Sequence, residues 1–187
     1  MNIHAFLVFL AIGNSSLGFV VERPQDANRT WGQPARGLRA SISVEKAHIS
    51  NQGPFVVSII VENVSENPIN VEKISSFQIG PQNKDSDFPL GYWCPVDFEA
   101  EKPSLNSLLI LASRSRLVLD RGASFRTTLD LSRHGWQKNF SSQWPDRKFE
   151  DVVPKGKYLL RLDIEILDGD THNRVRSNEV EIIIEAP

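Results

Sequence analysis

The chain has 187 residues and a single cysteine, Cys94, so no disulfide can form within it and its stability must come from packing. That is no obstacle at this length, because chains of about 150 residues or more bury roughly 70% of the surface that their unfolded state exposes. Charge of one sign is also missing. Lys and Arg number 21 against 23 Asp and Glu, a net charge of -2. The balance removes the long-range attraction to phosphate on which nucleic-acid binders and polybasic membrane contacts rely. Glycine and proline, 11 of each, sit at average usage, which excludes collagen-like and low-complexity architectures. No segment repeats another at a fixed spacing, which argues against a propeller or solenoid. Nor does any stretch of about ten residues or more carry the period of an amphipathic helix.

Long hydrophobic runs are absent too. The apolar run at residues 5–12, AFLVFLAI, is far shorter than the roughly 20 residues of a membrane-spanning helix. Behind it, Ser16 and Gly18 are small residues at the two positions that a signal peptidase reads, although no Lys or Arg precedes the run. Residues 1–18 therefore read as a signal peptide, an N-terminal strand or anchor being the alternative, and the mature chain is expected to start at Phe19. The expected location is secreted, extracellular or periplasmic, with no stable membrane insertion of the mature chain. Asn28, Asn63 and Asn139 head Asn-x-Ser/Thr sequons and are glycosylation candidates if the host modifies secreted proteins.

What is present is alternation. Residues 19–37 lack an apolar period and read as an extended N-terminal segment. From Leu38 onward, Leu38, Ala40, Ile42 and Val44 alternate with polar residues, the period of a strand with one wet face. Phe55, Val57, Ile59 and Val61 form a better buried, central strand, and Ile69 and Val71 open another that runs to Phe77 and Ile79. FPLGYWCPVDF, interrupted by Pro89 and Pro95, is expected at an edge or in a packed loop. Further strands follow at 108–111, 116–119 and 125–131, then Tyr158 to Ile166 and Val180 to Ile184, with LDGDTHNR as the turn between the last two. Seven to nine short strands without a helix predict an all-β fold of two antiparallel sheets packed face to face, one domain over 38–187, with a closed barrel as the alternative.

No motif names a reaction. His4, His48, His134 and His172 are scattered, and DGDTH at 168–172 lacks the acidic ladder of a calcium loop and reads as a hairpin turn. A Gly-x-Ser-x-Gly elbow is absent, and Cys94 reads as a small buried apolar residue. Asp163 and Glu165 share the polar face of their strand and are expected to be solvated surface carboxylates. No catalytic residue, metal or cofactor is implied. The four tryptophans, Trp31, Trp93, Trp136 and Trp144, fall outside the alternating runs, and Trp136, Phe140 and Trp144 are spaced by four, as on one side of a helical turn. These rings either seal the core or form an exposed aromatic platform. On the second reading Trp136, Phe140, Trp144 and Trp93 bind a glycan or a protein.

LVLDRGASFRTTLDLS at 117–132, followed by VPKGKYLLRLDIEI at 153–166, resembles the late strands of immunoglobulin-like sandwiches of secreted and bacterial proteins. With FVVSIIVENVSENPINV at 55–71, the layout also resembles the intracellular proteinase inhibitor family of bacilli, again a sandwich. The first resemblance implies that Tyr158, just after Pro154 and Gly156, turns its hydroxyl back to the preceding loop as a tyrosine corner. The functional expectation is a secreted, non-enzymatic β-sandwich that binds a protein or glycan through its end loops or an edge strand. A proteinase inhibitor acting through a protruding loop at 80–90 or 132–153 is the alternative, and a hydrolase with a loop-built site a more distant one.

Overall fold

Wherever Val, Ile and Leu alternate with polar residues the backbone is strand, because period-two burial is satisfied only by a pleated chain with one face against a core. The computed structural model describes residues 29–81, 91–97, 116–138, 147–168 and 171–185. It contains strands β1 (Leu38–Val44), β2 (His48–Ser50), β3 (Val56–Asn63), β4 (Ile69–Pro81), β5 (Tyr92–Asp97), β6 (Arg116–Leu119), β7 (Ser124–Asp130), β8 (Gln137–Lys138), β9 (Gly156–Asp168), β10 (Thr171–Arg176) and β11 (Val180–Glu185). Helix among the described residues is limited to a 3-10 turn at Leu131–Arg133 and a single α-turn, α1, at Phe149–Val152. The small sheet has the order β1-β3-β7; the large one runs β2-β11-β9-β4-β5-β8, with β10 also beside β9 and β6 beside β4. The strand pairs are antiparallel except for β2 with β11.

The fold is thus an all-β sandwich, with β3 central in its sheet as the sequence predicts. From the small sheet Ile42, Val57, Ile59 and Val61, and from the large one Phe77, Ile79, Cys94, Leu160, Leu162, Ile164 and Ile182, fill one continuous core. Cys94 is fully buried, and burial pushes its thiol well above the ordinary range. Among the described residues eleven strands stand where seven to nine were expected, and the strand expected at 108–111 lies outside them. β2 and β8 are too short to show a period, and β10 (THNRVR) is so polar that it reads as turn. The Tyr158 hydroxyl donates to the Pro154 carbonyl at 3.0 Å, the expected corner.

Residues 176–178 join the two sheets. β9 is paired by β11 along its first half and by β10 along its second. At the handover Ser177 takes the place of a strand: its N–H donates to the Leu162 carbonyl at 2.9 Å and its hydroxyl accepts from the Leu162 N–H at 3.0 Å. The next residue reaches the other sheet. Asn178 Oδ1 accepts from the Ile42 N–H at 2.7 Å, and Nδ2 donates to the Ile42 carbonyl at 3.0 Å, so one amide side chain acts as a strand partner for β1.

The rest of that edge is covered by the described part of the segment before β1, residues 29–37, which turns back at its end; residues 19–28 lie outside the described residues. Arg36 and Gly37, with φ of 50° and 77°, make a two-residue hairpin turn closed by Ala35 and Leu38. Gly32 then donates to the Ala40 carbonyl at 2.9 Å. A Cβ on Gly32 would lie 2.0 Å from the Arg176 carbonyl oxygen, so only glycine fits there.

The loop after the 3-10 turn carries a buried imidazole. His134 is 3% exposed and its Nδ1 has no hydrogen-bond partner. Burial lowers its pKa from the ordinary 6.5, against the opposing pull of Asp130. Asp130 is itself held below the usual carboxylate value. Burial opposes that direction and is outweighed by hydrogen bonds from the Ser132 hydroxyl and the Phe55 and Ser132 N–H groups, together with Arg133.

Two outcomes follow from this packing. Leu162→Ala, at a side chain with no exposure, is expected to cost on the order of 2–5 kcal/mol in denaturant unfolding. Because the folded pKa of His134 lies below the unfolded value, the unfolded chain takes up the proton first, and the His134 contribution to stability is present above about pH 6.5 and lost as pH falls below it. Unfolding midpoints measured from about pH 7 to about pH 5 should fall more steeply for the wild type than for His134→Phe.

Candidate binding face

The expected platform does not form around Trp136. Its side chain is 1% exposed, with Phe55 stacked at 6.4 Å between ring centroids, Phe149 edge-on at 5.2 Å, and the indole N–H donated to the Leu131 carbonyl at 2.9 Å. The local backbone is not helical either, since Gln137 and Lys138 are strand β8. Trp136 is therefore core, held there because a buried indole with its N–H satisfied is among the largest apolar contributions available. Phe140 and Trp144 lie outside the described residues, as do Asn28 and Asn139. Asn63 is a second correction. It is wholly buried, and its Nδ2, the atom a glycan would occupy, donates to the Asn67 and Leu119 carbonyls, each at 2.8 Å. Its Oδ1 accepts from the Ser65 N–H and hydroxyl. With every bonding position of the amide in use, a glycan at Asn63 is incompatible with this loop.

Trp93 is different. It is half-buried and stands on the outer face of the large sheet, away from the core. Directly opposed residues in antiparallel strands share a face. Trp93 is opposite Gln137 on one side and Gln78 on the other, and Gln78 is opposite Arg161. Gln137, Trp93, Gln78 and Arg161 thus form one row across β8, β5, β4 and β9. Glu179, just before β11, continues it, with its carboxylate 3.8 Å from Arg161 Nη1.

Arg161 and Asp163 are two apart on β9 and so lie on the same face. Arg161 Nε donates to Asp163 Oδ1 at 3.0 Å and Nη2 to Gln78 Oε1 at 2.8 Å, while Gln78 Nε2 donates to Asp163 Oδ2 at 2.9 Å. The three side chains close a ring. Asp163 is 1% exposed, which corrects the expectation of a solvated carboxylate: Arg161 and Gln78 satisfy both of its oxygens and shield it from water. Glu165 is half-exposed, 3.6 Å from Arg174, the kind of surface pair that contributes little. The period-two pattern could not separate the two carboxylates. The signal that could was Gln78 in the facing strand, visible only once the register is known.

At the far end of the row Gln137 is 6% exposed and its Oε1 has no partner. An unsatisfied buried acceptor costs about 1–3 kcal/mol, so its presence calls for a reason. Elsewhere, a concavity of about 270 Å³ near His48, Ser50, Gly53 and Glu185 is an open groove whose imidazole–carboxylate pair, 2.6 Å apart, is solvated. Among the described residues no cluster of His, Cys, Asp or Glu could hold a metal, and no helix is long and apolar enough to cross a membrane.

The class that this architecture defines is the two-sheet all-β sandwich. No family model matches the chain, and no curated protein matches it. Solved structures similar to it include the C-terminal domain of wzt, at 15% identity and a TM-score of 0.43 over 84% of this chain and 76% of that one. The Pseudomonas fluorescens alkylpurine DNA glycosylase AlkC, bound to DNA containing an abasic site analog, is similar at 12% identity and a TM-score of 0.40, over 79% of this chain and 30% of that one. A β-glucosidase from Listeria innocua is similar at 11% identity and 0.39, over 80% of this chain and 16% of that one. Such likenesses carry no function from those proteins to this one.

The ring of Arg161, Asp163 and Gln78 gives a direct test. Arg161→Ala, which strands a buried carboxylate, is expected to cost about 3–5 kcal/mol, whereas Glu165→Ala stays within about 0.5 kcal/mol. Replacing the pair together, Arg161→Met with Asp163→Leu, should recover most of the loss in the same urea titration.

Proposed function

We propose that the protein is a secreted, non-enzymatic binding module whose contact surface is the outer face of the large sheet, centred on Trp93. The observation that supports this most is the row itself. A half-buried indole stands between a buried amide whose acceptor has no partner and an amide locked in place by a buried ion pair, on the side of the sheet away from the core. Preorganised polar groups beside an aromatic ring are what a recognition surface needs, since little entropy is lost in ordering them when the partner arrives. The proteinase-inhibitor alternative gains no such support. In the described part of 132–153 Trp136, Phe149 and Val153 are packed into the core, and residues 82–90 and 139–146, which make up most of the two candidate loops, lie outside the described residues.

Trp93→Ala tests the reading. Screened against panels of glycans and extracellular proteins, the variant is expected to lose more than about 1 kcal/mol of affinity for whichever partner the wild type binds. Its stability should fall by less than that of Leu162→Ala. Unchanged affinity in Trp93→Ala, or turnover of any glycan in the panel by the wild type, would overturn it.

A further inference from the structure

We infer that the outer edge of β7 is a homodimer interface, at which β7 of a second copy of this chain pairs antiparallel with it about a two-fold axis at Thr127. This edge belongs to the small sheet, and the inference does not depend on the Trp93 surface above.

The hydrogen-bond pattern shows which backbone groups are on offer. Antiparallel pairs alternate between residues that exchange N–H···O bonds and residues that do not. The Leu131 N–H donates to the Phe55 carbonyl and the Asn63 N–H to the Ala123 carbonyl, so in the register that joins β3 to β7 the bonded pairs are Val57 with Leu129, Ile59 with Thr127 and Val61 with Phe125. The backbone groups of Ser124, Arg126, Thr128 and Asp130 therefore point the other way, out of the sheet edge. Among the described residues no strand pairs with β7 there, and Arg126 and Thr128 are exposed. The opposite edge of the same sheet, by contrast, is covered by Gly32 and Asn178. β7 is seven residues long, without the proline, lysine or bulge that commonly blunts an exposed edge.

The core is open on the same side. On β3 Val57, Ile59 and Val61 are buried, whereas Leu129, Thr127 and Phe125 opposite them are only half-buried. A further strand beside β7 extends the cover over these residues.

A second copy is the occupant because β7 is complementary to itself, as an isologous contact requires. A two-fold at Thr127 sets Arg126 opposite Thr128 of the second copy and Ser124 opposite Asp130 of the second copy, and each pair exchanges both of its backbone bonds. On the core side Phe125 meets Leu129 of the second copy, apolar against apolar. On the outer side Arg126, whose side chain has no ion pair among the described residues, finds Asp130 of the second copy on the diagonal, within reach of a long side chain. Neighbouring registers fit less well. A two-fold between residues sets outward-bonding groups against inward-bonding ones, one at Arg126 opposes that guanidinium to itself, and one at Thr128 leaves Ser124 and Phe125 beyond the paired segment.

The experiment is sedimentation velocity of the full chain from about 1 µM to about 500 µM, a range suited to a small, transient interface. The weight-average mass should rise from that of one chain toward that of two. Thr128→Pro is expected to be monomeric throughout with an unfolding midpoint close to the wild type, because the N–H that proline removes is not used within the sheet and its ring stands where the second strand docks. Arg126→Glu, at an exposed position, brings like charges together across the axis and should weaken the dimer more than about tenfold. Thr127→Cys lies on the axis, so oxidation should link it into disulfide dimers. Thr128→Cys and the wild type should stay unlinked, the latter because Cys94 is fully buried. Should Thr128→Pro fail to fold, Arg126→Glu and the Thr127→Cys linkage decide the matter. A chain monomeric at every concentration, a dimer that survives both Thr128→Pro and Arg126→Glu, or failure of Thr127→Cys to form disulfide dimers would each overturn the inference. A monomeric wild type whose edge captures an extended peptide from a displayed library, with capture lost in Thr128→Pro, assigns β7 to another protein's strand and overturns the second copy.

Discussion

The two sheets are held in register with one another by Ser177 and Asn178. Packing of Val, Ile and Leu side chains favours contact between sheets and says little about how far one slides over the other, because apolar contact is non-directional. Hydrogen bonds are directional. Ser177 is bonded to both backbone groups of Leu162 in the large sheet, and Asn178 to both backbone groups of Ile42 in the small one. Two adjacent residues therefore fix a core residue of each sheet, and the close approach of Gly32 to the same stretch closes the edge of β1 beside them. An open strand edge invites pairing with another chain. Here the device that aligns the sheets also covers that edge.

The outer face of the large sheet follows from this alignment. β9 changes partner at Leu162, and the residues on either side of it, Arg161 and Asp163, face outward in the middle of the sheet with Gln78 opposite. A carboxylate and a guanidinium at a sheet centre are costly to bury and persist where every hydrogen-bonding position is used. The return is rigidity. The Gln78 amide is held at both its atoms, and it adjoins Trp93, so the central part of the proposed surface is ordered before any ligand arrives.

This moves the functional reading from the loops to the sheet. The loop tryptophan most prominent in the sequence, Trp136, belongs to an aromatic cluster with Phe55 and Phe149 that closes one end of the core. Trp93 sits in a segment broken by prolines, and the sheet places it between Gln78 and Gln137. An aromatic residue outside an alternating run is ambiguous by itself. Its role depends on which side chains stand opposite, and that is a property of register.

The sequence by itself determined the all-β class, the start of β1 at Leu38, the central position of β3, the tyrosine corner at Tyr158 and the buried state of Cys94. The first four depend on period-two alternation or on turn residues a few positions apart, which local backbone geometry converts directly into structure, and the last on the apolar character of a lone thiol. Tertiary structure alone decided that Asp163 is buried and Glu165 half-exposed, that Asn63 is sealed, that Trp136 is core, and that Gln137, Trp93, Gln78 and Arg161 share a row. Those outcomes depend on pairing between residues as far apart as Gln78 and Arg161. The physical reason is that a period of two names the face a side chain takes, while the groups it meets there are set by strand order and register, which no local pattern encodes.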